Sequence, residues 1–161
     1  MQDERSLEQI YRSAVSGLYA RLRSNYDYLY RKFGADGLKM IEEMSREYGL
    51  AIAKRAVKTL QRRDIQEVAD YLLRIFQTVS HGKDTNSILR DNDGRMILKV
   101  TQCPLHFDNP QMCRAHTTME KTVVHELNPR LKYYIGKSIP AGNAFCEHII
   151  EIDEGRGQDA D

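Results

Sequence analysis

The apolar residues change their spacing near residue 80, which limits the chain to folds that set helices against a sheet. Leu7, Ile10, Tyr11, Ala14, Leu18 and Leu22 recur at three- and four-residue steps and so share one helical face. The stripe runs on through Tyr26 and then Leu29 or Tyr30 toward Phe33, with Gly34 as its expected C-cap. A second helix begins near Asp36 and carries Leu38, Ile41, Met44 and Tyr48. Gly49 is a candidate interruption before Ala51–Leu60 resume the pattern. A third opens at Asp64, with Glu67 at capping-box spacing and Val68, Leu72, Ile75, Phe76 and Val79 as its buried stripe.

After Ser80-His81-Gly82 the period falls to two. Ser87–Arg90, the turn Asp91-Asn92-Asp93-Gly94 and Arg95–Gln102 read as a hairpin, with Met96, Leu98 and Val100 on one face. Residues 103–110 contain Pro104 and Pro110 and form a loop. Gln111–Glu126 is then a helix, closed by Asn128-Pro129. Leu131–Ile139 and Phe145–Ile152 are two further strands around Pro140-Ala141-Gly142-Asn143. The expected fold class is α+β in a single domain over 1–161. A helical layer at about 6–80 packs on an antiparallel sheet of about four strands at about 85–152, with one inserted helix, and the tail 153–161 is frayed.

Charge narrows the partners. Twenty-four basic and 23 acidic residues leave a net +1, no electrostatic basis for binding nucleic acid or an anionic membrane. No apolar run approaches the roughly 20 residues a membrane span needs. The start, Met1-Gln2-Asp3-Glu4-Arg5, is charged and unlike a signal peptide, so the expectation is a reducing, cytoplasmic location. Three cysteines in that setting read as thiols or ligands and not as a disulfide framework. The tyrosines crowd the first 50 residues and point to core, a ligand pocket or contact within a homo-oligomer.

The chemistry gathers late in the chain. Cys103, His106, Cys113, His116, His125, Cys146 and His148 all follow residue 102. Cys113 and His116 are three apart and share a helical face; Cys146 and His148 are two apart and share a strand face with Ile150. With Cys103 at a strand end, a helix packed over that end would bring the three thiols together. The spacing matches no zinc finger, CxxC pair or ferredoxin run, and a buried cysteine also serves simply as a small hydrophobe. His148 reads as a core residue, His125 as a surface residue at a helix C-terminus, His81 as part of a helix stop and His106 as a loop residue able to act as ligand or base.

Four blocks carry a resemblance: Val100-Thr101-Gln102-Cys103-Pro104-Leu105, Cys113-Arg114-Ala115-His116, Leu127-Asn128-Pro129 and Gly142-Asn143-Ala144-Phe145-Cys146-Glu147-His148. They resemble the L-2-amino-thiazoline-4-carboxylic acid hydrolase family over about residues 85–152 and, more distantly, 4-vinyl reductase-type ligand-binding domains. His116 stands where that family often has aspartate, and Asn143 where it usually has an acid. The resemblance implies that Cys103, Cys113, Cys146 and His116 form one site. That site would be a zinc or iron–sulfur ligand set, or a thiol site with Cys113 as nucleophile and His116 as base. Imidazole in place of carboxylate makes the set softer and suited to zinc or iron. The implied activity is hydrolysis of a C–N bond in a small cyclic amidine. The alternative is a non-catalytic ligand-binding or sensory domain holding the same centre.

Overall fold

Ser6 opens the first helix. Its hydroxyl accepts the Gln9 N–H at 3.2 Å, and the Gln9 side chain accepts the Ser6 N–H at 2.8 Å, closing a capping box. The computed structural model describes residues 5–80, 86–91 and 93–156; His81, Asn92 and most of the expected frayed tail lie outside them. Helix α1, Leu7–Phe33, ends at Gly34, whose φ of 59° lies in the left-handed half of backbone space. The chain reverses there into α2, Ala35–Ala56.

Gly49 does not interrupt α2. It is instead where α2 touches the helix that follows the hairpin, and the missing side chain makes the contact close. A Cβ at Gly49 would stand 2.7 Å from the Met119 carbonyl oxygen and 2.9 Å from Thr122 Cβ. Gly49→Ala should therefore force two packed helices apart and cost about 1–3 kcal/mol in urea denaturation. A variant as stable as the parent would mean that this contact yields freely.

Helix α3, Ile65–Val79, starts at Asp64, which accepts the Glu67 N–H at 2.9 Å. The return half of the expected capping box is absent. The Glu67 carboxylate turns upstream to the amides of Arg63 (2.6 Å), Arg62 (2.8 Å) and Gln61 (3.2 Å), tying down the loop between α2 and α3.

Strands β1 (Asn86–Arg90), β2 (Met96–Val100), β3 (Leu131–Ile135) and β4 (Cys146–Ile152) form one antiparallel sheet in the order β1-β2-β4-β3. The sequence placed the ends of the last two strands too far toward their connection; Ile139–Ala141 is a 3₁₀ turn instead. In register, Met96 faces Ile150, Leu98 faces His148, Val100 faces Cys146 and Tyr133 faces Ile150. Period two puts these side chains on one face, where α3 and the helix before β3 cover them. The other face carries polar pairs such as Lys132–Glu151 at 2.7 Å.

The inserted helix is two helices. Helix α4 is Pro110–His116 and α5 is Thr118–Leu127, with Thr117 between them at ψ 0°. The Thr117 hydroxyl bonds to the Arg114 carbonyl at 3.1 Å, a local alternative to helix continuation that the sequence pattern hid. The break lets α4 lean on α2 while α5 spans α2 and β3.

Packing then falls into two clusters. One joins α3, α5 and the sheet through Val68, Leu72, Leu98, Val123, Val124 and Ile150. The other joins α1, α2 and α4 through Tyr26, Ile41, Leu105, Phe107, Met112 and Ala115. The start of the α1 stripe enters neither, since Leu7, Ile10, Tyr11 and Leu18 are exposed, whereas Leu22 packs against the second cluster. No described helix is long and apolar enough to cross a membrane.

Candidate ligand-binding site

Between the two clusters lies a cavity of about 590 Å³. Its walls come from α1, α2, α3, β2, the loop after β2, α4, α5 and β4. Cys103, Cys113, Cys146, His116 and His148 all line it. The cysteines are free. They lie near enough to one another that the charge of one thiolate would oppose ionisation of the next.

Each thiol has its own setting. Cys103 follows β2 and also borders a second, adjoining hollow of about 520 Å³ that contains His106. His106 is exposed on that loop and does not line the main cavity. Cys113 comes from α4. Burial, followed by the nearby Cys146 and Cys103, pushes its thiol up to about 12. Cys146 is buried at the start of β4, and its Sγ accepts the Ile139 N–H at 3.3 Å. Burial raises its pKa as well, and that amide partly offsets the effect.

Alkylation should report these settings. At pH 8 the shift at Cys113 lowers its thiolate fraction roughly a thousandfold relative to an ordinary thiol. Iodoacetamide should therefore label Cys103 in the folded protein well before Cys113, and all three equally in urea. Native labelling of Cys113 at the unfolded rate would contradict its burial.

The two cavity histidines are each held by a tyrosine. Tyr26 hydroxyl lies 3.2 Å from His116 Nδ1, with Phe107 and Tyr26 beside the imidazole. Tyr133 hydroxyl lies 2.5 Å from His148 Nδ1, and Phe76 packs on that ring at 4.8 Å between centroids. Burial pushes both imidazoles down to about 4, and His116 adds a smaller push on His148. Both are neutral near pH 7. The single proton of each neutral ring sits on Nε2 where the phenol donates to Nδ1, and on Nδ1 where the phenol oxygen accepts. His148 is thus a satisfied inward residue, as its strand position implied, and also part of the cavity wall. His125, by contrast, pairs at 3.7 Å with Glu126, away from the site.

Sequence reasoning missed Glu120. It lines the cavity from the first turn of α5 with 5% of its surface exposed, and its Oε2 has no hydrogen-bond partner among the described residues. Burial raises its pKa to about 7, opposed only by its own backbone amide. The signal was there in the spacing. Cys113, His116 and Glu120 stand at i, i+3 and i+7, one face of a helix. The reading stopped at the soft ligands and passed over the acid one turn further on.

Cys103, Cys113, Cys146 and His116 share this cavity, and among the described residues no group of three or more Cys, His, Asp or Glu side chains stands placed to hold a metal ion. Cys146 Sγ accepts an amide N–H, and His116 Nδ1 is engaged by a phenol. Comparison of the sequence with protein-family models and with curated proteins gives no match.

Proposed function

We propose that the chain is a small-molecule-binding domain and that its ligand occupies the cavity between the two packed clusters. The observation that carries this reading is the cavity itself. It encloses about 590 Å³, within the range of small-molecule sites, and its wall is apolar apart from a few convergent polar groups. The described lining residues include no lysine or arginine. That favours a mostly apolar ligand over a small carboxylic acid, whose anion would need a cationic partner. The free thiols suit a reducing, cytoplasmic setting.

A fluorescent probe tests the reading. The chain contains no tryptophan, so naphthalene emission can be followed without interference from indole. 1-Naphthylmethanol should bind saturably at one site. Val79→Phe, at the half-buried end of α3 on the cavity wall, should weaken that binding at least tenfold by filling space. Absence of saturable binding, or a blocked variant that binds like the parent, would remove the cavity as the ligand site.

A second reading, the thiol hydrolase, draws support from Cys113 and His116 sharing one wall. In it the thiol adds to the amidine carbon of a cyclic substrate as His116 takes its proton and the C=N pair moves to nitrogen. That proton passes to the leaving nitrogen as the C–N bond breaks, and water then releases the thiol. The resting state is not primed for this. The thiol is held protonated and the imidazole Nδ1 is already engaged, so substrate binding would have to release both. Turnover of 2-aminothiazoline-4-carboxylate that disappears in Cys113→Ser would favour it over simple binding.

A further inference from the structure

Among the described residues of the wall Glu120 is the one acidic side chain, beside hydrocarbon, aromatic rings, hydroxyls, thiols, the Asn86 carboxamide and neutral imidazoles. The titratable groups near enough to feel its charge are Tyr19 and Tyr26 on α1, Cys113 on α4 and Tyr133 on β3. Each of them is neutral when protonated, so none neutralises a carboxylate. A buried carboxyl without a cation or hydrogen-bond donor is costly when ionised, and nothing described on the wall relieves that cost. A ligand can supply the partner that the described wall does not. An inorganic cation is the poorer candidate, because among the described residues no group of three or more Cys, His, Asp or Glu side chains is placed to hold one.

We propose that the cavity selects organic bases, with Glu120 receiving the basic nitrogen of a ligand whose apolar body fills the remaining space. This rests on the small-molecule-binding reading above and adds the ligand's chemical class. A protonated amine donates to the Glu120 carboxylate and supplies the countercharge, while the apolar body packs against residues such as Ile52, Phe76 and Val100. The preference follows from desolvation. A neutral ligand of equal shape leaves the carboxyl unsatisfied, whereas a base converts it into a charge-assisted pair away from water.

The test compares 1-naphthylmethylamine with 1-naphthylmethanol, which match in shape and apolar area and differ in charge. At pH 7.5 the amine should bind at least about tenfold more tightly than the alcohol, the order expected for a hydrogen bond to a charged group. Glu120→Gln, nearly the same in size, should bring the two affinities together by weakening the amine alone. Equal affinities in the parent protein would overturn the assignment to Glu120 while leaving the cavity reading intact. Discrimination that survives Glu120→Gln would do the same. If neither probe binds, both readings fail. The comparison in the parent protein needs no variant, so a Glu120→Gln chain that failed to fold would still leave the amine preference to be decided.

Discussion

Between pH 6.5 and 4.5 the protein should lose stability, with a net uptake of about one proton on unfolding, because the two histidines each take one up while Glu120 releases one. His116 and His148 are held neutral in the fold, with pKa values lowered from 6.5 to about 4 by burial. The unfolded chain protonates them near 6.5, so over this range it binds more protons than the native state and stability rises with pH. The stabilisation is fully present above 6.5 and is lost as the pH falls through about 4. Each histidine contributes on the order of 3 kcal/mol, a large share of the total for a small domain. Urea denaturation at half-unit pH steps measures the slope. In the Glu120→Gln background, where the two histidines alone set the slope, His116→Gln or His148→Gln keeps a polar partner for the tyrosine and removes one titration, so each should halve the slope. A stability flat across this range in that background would mean that the imidazoles meet water after all.

Glu120 should act in the opposite sense, over an overlapping range. Its carboxyl ionises near 4.5 in the unfolded chain and near 7 in the fold, so the native state holds a proton that the unfolded chain has released. Its contribution is complete below 4.5 and is lost as the pH rises through about 7. Glu120→Gln cannot ionise. It should leave stability nearly unchanged at pH 4 and raise it by about 3 kcal/mol at pH 8.5 relative to the parent. With both histidines contributing fully above 6.5, the parent should be most stable close to pH 6.5. A variant no more stable than the parent at pH 8.5 would show that Glu120 is solvated. The comparison also separates stability from ligand binding, because the substitution should strengthen the free protein and weaken its grip on an amine.

The sheet and the helical layer were legible because each rests on a period. Leu72 and Phe76 on α3, and Met96, Leu98 and Val100 on β2, are buried where a count of three and four or of two places them. The break at Thr117 was not legible, since one hydroxyl bonding back along the helix leaves no mark on an apolar pattern. The continuity of α2 through Gly49 was hidden for a related reason. Glycine reads as weakness until the helix packed against it is known. At the site, the shared cavity of the three thiols and His116 followed from strand and helix faces, but the distances a ligand shell demands did not. The tyrosines were grouped by composition alone. Their pairing as Tyr26 with His116 and Tyr133 with His148 joins residues 90 and 15 apart in the chain, which no local pattern encodes.

The hollow between the two packed clusters has a mechanical meaning. A chain with two cores separated by empty space can lose one before the other, and the thin shared wall is where such partial opening begins. A molecule seated in that seam touches Tyr26, Leu105 and Phe107 on one side and Ile52, Phe76 and Val100 on the other. It therefore welds the halves into one cooperative unit. Amide exchange should then slow in α1 and in the sheet together, by an amount set by ligand concentration and not by any new bond within the chain.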